Sequence, residues 1–576
     1  MAWDFSTDPE WAEQLAWVDA FVREECEPID LIVKESHDLN DPVRQALIPP
    51  LQKIVKGRGL WATHLGPHLG GPGYGQVKLA LLNEILGRSE CAPIVFGSQA
   101  PDSGNSEILA HYGTPELKKR YLEPLLDNRI ISCFSMTEPQ GGADPKVFTT
   151  TAIQDGDHWV INGEKWFSSF ASMASFIIVM AMTDPDAPPY ERYSMFVVPA
   201  ETAGIDVLRD VGLGYQLPGG GREGYVRYEN VRVPADHMLG PRGGAFVVAQ
   251  TRLGGGRIHH AMRTVGLVRR IYDMICERAV SRYTQGGADP KVFTTTATQD
   301  GDDWIINGEK WYSSFASMAS FIIVMAMTDP DAPPYERYSM FVLPGDTPGI
   351  NVLRDVGLGY QPLGGGREGY VRYENVRVPN DHMLGPRGGA FIVAQTRLGG
   401  GRIHHAMRTV GLVRRIYDMI CERAVSRYTQ GEVLANKQMV QEMIADSWME
   451  IEAFRLLTLQ TAWKIDKYND YKAVRGDISA VKAMMQKVLH DVSARALQIH
   501  GSLGTSHEMP FVQYLTESFV LGLADGPTEV HKVTLARLLL KDVERAPDTF
   551  PSEHLLRLRE AAEAKFADKL AGIPRN

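Results

Sequence analysis

The stretch from Gly142 to Gly286 is spelled again from Gly287 to Gly431, at an offset of 145 residues and with 13 differing positions. Most of the differences are mild, such as Val160 against Ile305, Phe167 against Tyr312 and Val247 against Ile392. Solenoid units run about 20 to 50 residues and diverge freely between copies. A unit this long and this little changed is a tandem duplication of a domain-sized piece. With one copy removed, 431 residues remain, an ordinary length for an enzyme of two or three domains. Which motifs occur once and which occur twice therefore decides how many sites the chain can build.

Composition narrows the partners. The chain is 44% hydrophobic and 23% charged, and no run approaches the roughly 18 apolar residues of a membrane helix, so no membrane span is expected. Sixty basic against seventy acidic side chains give a net charge of −10. With no block of Lys or Arg, this argues against nucleic acid and anionic membrane surfaces. Cys26, Cys91, Cys133, Cys276 and Cys421 show no CxxC spacing, which suits a reducing compartment. "MAWDFSTDPEW" has neither the order of a signal peptide nor the Arg-rich bias of a transit peptide, so a cytoplasmic location is expected. His259-His260 and His404-His405 are adjacent, and adjacent helical residues point about 100° apart. No metal site is expected from them.

Apolar residues recur at three and four from Asp8 to about Asn128, as in "LALLNEILGR", which predicts a helical domain over 1–129. Short β-branched and aromatic runs then predict an antiparallel β domain over 130–244, with Asp155-Gly156 and Asn162-Gly163 as hairpin turns. The helical period returns over 245–286. The β domain is repeated over 287–389 without "ISCFSMTEP", its opening strand, and helices fill 390–544. There Val440, Met443, Ile444, Ser447, Trp448 and Ile451 trace one face. The tail, 545–576, carries a modest amphipathic stretch. "GGPGYGQ" (Gly70 to Gln76) lacks the strand-glycine-helix context of a dinucleotide-binding turn and reads as a loop.

Four stretches carry chemistry: "FSMTEPQGGAD" from Phe134, "NGEKWFSS" from Asn162, "QIHGSLG" from Gln498 and "ADGPTEVHK" from Ala524. Together and in that order they resemble the acyl-CoA dehydrogenase family, over nearly the whole chain. "RLGGGRIHHAMRTVGLVRR" and "ADGPTEVH" look most like the branch of family members 10 and 11. The resemblance implies an α+β multidomain fold: an N-terminal α-helical domain, an antiparallel β-barrel or sandwich middle domain and a C-terminal four-helix bundle. Here the β domain and its following helix are duplicated. It further implies FAD as cofactor, an acyl-CoA substrate, an electron-transfer flavoprotein as acceptor and a homodimer or homotetramer.

Taking a proton α to a thioester and a hydride from the β carbon needs a carboxylate base facing a flavin in a site closed to water. In the family, segments resembling Phe134, Met136 and Thr137, and Trp166 and Ser168, line the flavin's polar edge, where donors stabilise its reduced anion. Trp311 and Ser313 are their second-copy counterparts. The segment holding Gln498, Gly501 and Gly504 resembles the one that binds the adenine end of FAD from a neighbouring subunit, with Ser502 replacing a usual glycine. Arg427 and Thr429 match the family's pyrophosphate-gripping stretch. Gln438, which follows only the second copy, and Thr528 complete the implied cofactor contacts.

Asp525 stands where most relatives place a glutamate base. Asp is shorter by about 1.5 Å, which matters where misplacement by about 1 Å costs a hundredfold in rate. A rival base position, just before the Arg of "GRIHH", holds Gly256 and Gly401. Arg257 and Arg402 are implied to line the acyl-CoA pocket, and Glu529, one helical turn from Asp525, reads as surface.

"FSMTEP", "QIHGSLG" and Asp525 each occur once, so at most one complete site per chain is expected. The least disruptive arrangement keeps the first β domain and the second helix copy, and loops out about 245–386 with an apolar helix face exposed. The mirror choice uses the second β domain, and exchange between subunits would satisfy both. The reading is an FAD-dependent acyl-CoA dehydrogenase. Its rivals are a flavin oxidase of the same fold, of acyl-CoA or nitroalkane type, and a flavin-free remnant acting as a binding subunit.

Overall fold

The computed structural model describes residues 7–142, 145–214, 216, 221–281, 293–362, 365–544 and 554–565. The Arg282-Tyr283-Thr284-Gln285 stretch of the first copy and most of the C-terminal tail lie outside the described residues. Four main helices, α1 (Pro9–Phe21), α2 (Pro42–Gly57), α3 (Gln76–Leu86) and α4 (Asp102–Tyr112), with short helical segments reaching Leu126, form the N-terminal domain. Asp8 and Asp41 start α1 and α2: each carboxylate accepts a backbone N–H of the first turn, ahead of a proline that has no N–H to satisfy.

The first β domain contains β1 (Ser132–Ser135), β2 (Thr151–Asp155), β3 (His158–Ser169), β4 (Phe176–Met182), β5 (Tyr193–Pro199), β6 (Ile205–Val211) and β7 (Glu223–Pro234). They form one sheet in the order β1-β4-β2-β3-β7-β6, with β5 paired to β4. The sheet is not wholly antiparallel, as β1 runs parallel to β4. The chain enters β1 from the helical domain, so no hairpin ties the two strands to opposite directions. Asp155-Gly156 does end the β2–β3 hairpin, with Gly156 at φ 63°. Asn162-Gly163 is not a turn: it lies inside β3, where the register with β7 slips between Ile161 and Gly163. A Cβ on Gly163 would stand 2.5 Å from Thr150 Oγ1, so the glycine admits a close strand at a bulge.

The second copy repeats the sheet as β8 (Thr296–Asp300), β9 (Asp303–Ser314), β10 (Phe321–Met327), β11 (Tyr338–Pro344), β12 (Ile350–Val356) and β13 (Glu368–Pro379). It has six strands, with nothing in the place of β1. The first copy is tied to the N-terminal domain through that strand. Buried Asp102 accepts from the Ser132 N–H at 2.9 Å and the Ser132 hydroxyl at 2.6 Å, and Asn105 bridges Ser132 to Arg252. Under this cover Phe176 is 0% exposed, whereas its counterpart Phe321 is 59% exposed.

Two helices, α5 (Ala245–Ser281) and α6 (Ala390–Ser426), share one 37-residue sequence except at Val247 against Ile392. They pack differently. The C-terminal domain adds α7 (Gln438–Tyr468), α8 (Arg475–His500), α9 (Phe511–Leu523) and α10 (Thr528–Leu540) to α6. Four helices, α6 to α9, surround one core, and α10 packs on α8, which touches all the others. Ile403, Ala406, Val413, Ile416 and Ile420 of α6 are buried there against Ile451, Phe454, Met485 and Val488. The face expected on α7 is inward except for Trp448, which sits about 100° round the helix from buried Ser447 and is exposed.

Helix α5 is not looped out. It lies on α3 and α4 with its other face: Arg263 donates to Asn83 Oδ1 and the Ser98 carbonyl at 2.7 Å, and Arg270 to the Arg88 carbonyl at 2.5 Å. Gly266 lies so close that a Cβ would stand 1.8 Å from the Glu84 carbonyl oxygen. The apolar stripe that α6 buries is left in solvent, as expected of a spare copy: Ile271 is 46% exposed and Ile416 is 0%.

Beneath the end of β1, Lys165 donates to Glu138 Oε1 and to the Met136 carbonyl, both at 2.9 Å, with both side chains buried. Burial pushes the Glu138 carboxyl up, but the Lys165 ammonium and the Thr149 and Thr150 N–H groups outweigh it and hold the carboxyl below its ordinary range. Its contribution is fully present above the ordinary value of 4.5 and is lost as pH falls through the lower folded value.

Two outcomes follow. Ile416→Ala should cost about 2–5 kcal/mol in chemical denaturation, by cavity formation. Ile271→Ala, the same change in the same local sequence, should stay near ±0.5 kcal/mol, and equal losses would refute the assignment of the two helices. Glu138→Gln, which leaves Lys165 buried without its counter-charge, should cost about 3–5 kcal/mol at neutral pH. That gap should narrow in acid, as read from melts across pH.

Candidate functional site

A cavity of about 510 Å³ opens between the first β domain and the C-terminal bundle. Thr137, Glu138, Gly141, Trp166 and Tyr225 line it from the sheet, and Arg423, Arg427, Thr429, His500, Gly501 and Ser502 from the bundle. The Trp166 N–H donates to the Thr137 carbonyl at 2.8 Å, which fixes the strand end against the hairpin. Arg209 lies over the rings of Trp166 and Tyr225 and makes a two-pronged ion pair with Glu508. The Gly212 and Gly214 N–H groups donate to His507 Nδ1 at 2.7 Å and the Thr505 carbonyl at 2.8 Å. Arg427 donates to the Gln140 carbonyl. Sheet and bundle are therefore clasped on two sides of the cavity.

Its electrostatics favour an anion. Arg423 and Arg427 reach the lining together with Arg209, which Glu508 pairs, against the single carboxylate of Glu138, which Lys165 already neutralises. Burial lowers the affinity of Arg423 and Arg427 for their protons, and Arg423 Nε is buried with no partner. A diphosphate would supply the missing acceptors. At the end of α8 the chain turns at Gly501, φ 64° and ψ −136°, a conformation essentially confined to glycine. Ser502 begins the next short helix at the rim rather than closing the cavity.

Asp525 lies elsewhere on the bundle, in the turn between α9 and α10, at φ 55°. Its side chain is 13% exposed and points at α6, with Oδ2 3.4 Å from His405 Nε2. Arg402 Nε donates to the Asp525 carbonyl at 2.9 Å, and His531 Nε2 is 3.4 Å from the same oxygen. A Cβ on Gly401 would stand 3.0 Å from Asp525 Oδ2. The glycine thus makes room for the carboxylate, which accounts for a residue that costs about 1 kcal/mol in a helix interior. The counterpart Gly256 in α5 faces open space. Lys482, buried below the turn, donates to the Leu521 carbonyl, and burial pushes its ammonium down to about 8.

The structure brings Thr137, Trp166, Arg427, Thr429 and Gly501 together in one cavity. Phe134 lies under the Arg252 guanidinium at 3.9 Å, and Met136 packs into the core between sheet and N-terminal domain. Ser168 is buried with its hydroxyl 2.8 Å from that of Ser135, facing the sheet interior instead of the cavity. Gln438 starts α7, Gln498 is exposed on α8 and Gly504 is buried against Leu497, all three outside the lining. Thr528 donates to Gln486 Oε1 at 2.7 Å beside the Asp525 turn, and Glu529 is exposed there. Trp311 and Ser313 lie on the uncovered sheet of the second copy, with Trp311 53% exposed. Among the described residues, Arg257 reaches only Gln250 on its own helix, at 3.3 Å.

Sequence reasoning missed Arg209, Arg423, Tyr225 and the Glu138–Lys165 pair. Glu138 and Lys165 stand inside the quoted TEP and GEKW stretches, where a charged residue in each of two strand motifs was the available signal. The glycine loop was expected to serve a neighbouring subunit, but here it faces the first β domain of its own chain. Among the described residues, no group of His, Cys, Asp and Glu could hold a metal ion, and no helix is long and apolar enough to cross a membrane.

Family models for acyl-CoA dehydrogenase match the N-terminal domain at 9–129, the middle domain twice, at 133–221 and 283–376, and the C-terminal domain at 388–540. The chain is 28% identical over 513 residues to the probable acyl-CoA dehydrogenase FadE2 of Mycobacterium tuberculosis, covering 88% of this chain and 89% of that one. It is also 28% identical over 502 residues to acyl-CoA dehydrogenase family member 11 of Mus musculus, covering 87% of this chain and 46% of that one. This chain thus spans about half the length of the member 11 relatives. A solved structure of a putative acyl-CoA dehydrogenase from Mycobacterium abscessus is 27% identical, with a TM-score of 0.40, over 93% of this chain and 99% of that one. With all three domain models in family order along one chain, the protein belongs to the acyl-CoA dehydrogenase family, oxidoreductases that act on acyl-CoA.

Proposed function

We propose that this chain is an FAD-dependent acyl-CoA dehydrogenase that converts an acyl-CoA thioester to the 2-enoyl-CoA, with one site per chain and an electron-transfer flavoprotein as acceptor. One observation carries the reading. Three guanidinium groups and the Gly501 turn converge on a 510 Å³ cavity whose other wall is the Thr137 strand end and Trp166. That volume falls within the roughly 300–1,000 Å³ of cofactor and ligand pockets.

The residues fit the cofactor. Arg423, with its unpartnered Nε, and Arg427 would hold the diphosphate, and the Gly501 turn would admit the adenosine end. The Thr137 and Trp166 segment would floor the ring system. A bound flavin supplies the acceptor for the β hydride.

The α proton goes to Asp525 Oδ2. Arg402 and His531 hold the Asp525 carbonyl, so the left-handed turn aims the carboxylate at α6. Gly401 leaves the room in which that carboxylate sits against α6. His405 Nε2, 3.4 Å from Oδ2, helps to orient the carboxylate. Arg402 beside the Asp525 turn and Arg423 at the cavity are 21 residues apart on α6, roughly 30 Å along its axis, so the cavity and the Asp525 turn that serve one thioester would come from two copies of the chain.

The purified protein should carry about one flavin per chain and bleach on anaerobic addition of an acyl-CoA from a panel of chain lengths. Asp525→Asn should keep its flavin but bleach roughly 10²–10⁴-fold more slowly. Arg427→Ala should lose flavin at an unchanged circular dichroism spectrum. A protein that binds no flavin even after incubation with FAD overturns the proposal, and peroxide release in place of acceptor reduction would reassign it to an oxidase.

A further inference from the structure

The eight residues around a second cavity, on the sheet of the second copy, occur in the structure twice, once filled and once open. The open cavity measures about 350 Å³ and is lined by Phe321, Val342, Asp381, His382, Met383 and Leu384, with Ser320 and Pro344 at its rim. None of the 13 substitutions between the copies falls on these eight positions. In the first copy the same place is filled by Tyr121, from the helical segment 115–126. Its ring lies 4.8 Å from that of Phe176 and edge-on to His237 at 6.3 Å. Leu117, Leu122 and Leu125 of that segment pack beside it on the same sheet.

The walls are the same with and without the ring. His237 Nδ1 lies 2.9 Å from the Val197 carbonyl and His382 Nδ1 3.1 Å from the Val342 carbonyl. Leu239 and Leu384 donate to the Met195 and Met340 carbonyls at 2.8 and 2.7 Å. Met238 and Met383 make the same bridge to Phe196 and Phe341. The socket is therefore preformed, so an occupant meets little reorganisation cost.

We propose that the outer face of β10 and β11 is a docking site for an amphipathic helix of a partner protein. That helix presents an aromatic residue to the socket and leucines at the i−4, i+1 and i+4 positions, as in segment 115–126. The socket selects the ring rather than its hydroxyl, because Tyr121 Oη is buried in the first copy with no partner. Arg120 lies over the Tyr121 ring in the filled copy, and Asp381 stands at the open socket, so a basic residue beside the aromatic one suits the occupant. The chain has one such segment, already used. A second copy would have to withdraw its own Tyr121 and so reopen an identical socket, which gains nothing and leaves a helix from a different protein as the occupant. The inference is independent of the flavin reading.

The test uses the full-length protein and a fluorescent synthetic peptide of residues 114–129, followed by anisotropy. Saturable binding is expected. It should weaken roughly thirtyfold, as for a buried aromatic anchor, with Tyr121→Ala in the peptide, and stay within a fewfold with Tyr121→Phe. Phe321→Asp and, separately, Leu384→Glu in the protein should abolish it, while flavin content and melting stay as in the parent. Absence of binding, or binding indifferent to these changes, overturns the proposal. Self-association that Phe321→Asp abolishes would also overturn it, assigning the face to exchange between copies.

Discussion

A single 37-residue helix with two working faces organises this molecule. One face is polar and close-fitting: Arg263, Gly266 and Arg270 lock it to the carbonyls and side chains of the N-terminal domain. The other is the apolar stripe of Ile403, Val413, Ile416 and Ile420, which the bundle covers. A helix with both faces covered would sit between two domains. Because the sequence occurs twice, α5 takes the first partner and α6 the second. Burial of the stripe, at roughly 1.5–3 kcal/mol for each large apolar side chain, is gained in one copy only.

The β domains follow their helices. The first remains under the N-terminal domain, joined through Asp102, Ser132 and Asn105, and the second hangs beside the bundle without β1. Strand alternation makes the loss visible. On β10 the side chains facing the sheet core, Ile322, Val324 and Ala326, stay buried, while Phe321 and Ile323, one residue away, are exposed. The fold of the second sheet survives because its core needs no neighbour. Only the face that had used one is open.

Much of this was legible in the residues. The duplication, the domain order, the missing first strand and the exposed stripe all follow from counting which segments occur once. The period of apolar residues placed most of α7, and the motifs found Thr137, Trp166, Arg427 and Gly501, which do meet. Asn162-Gly163 misled because the same dipeptide serves a turn or a bulge, and only the approach of Thr150, just ahead of β2, decides between them. Arg209 and Arg423 were invisible because the cavity forms only where sheet meets bundle: Arg209 lies over Trp166 and Tyr225 on its own sheet and is held there by Glu508, 299 residues away. Ser168 shows the converse, a residue in the right motif whose hydroxyl points to the wrong side of its strand.

The two arginines of "GRIHH" show how little of a site resides in its letters. Arg402 binds the carbonyl of Asp525, and Gly401 before it admits the carboxylate. Arg257, in the same local sequence on the same kind of helix, reaches among the described residues only a glutamine two turns back on its own face, and Gly256 faces open space. The difference is the α9–α10 turn, which the chain has once and which follows whichever helix the bundle holds. Which of the two helices meets Asp525 therefore depends on which copy the bundle holds. The helix sequence occurs twice, and with it these arginines, glycines and histidines, whereas Asp525 occurs once.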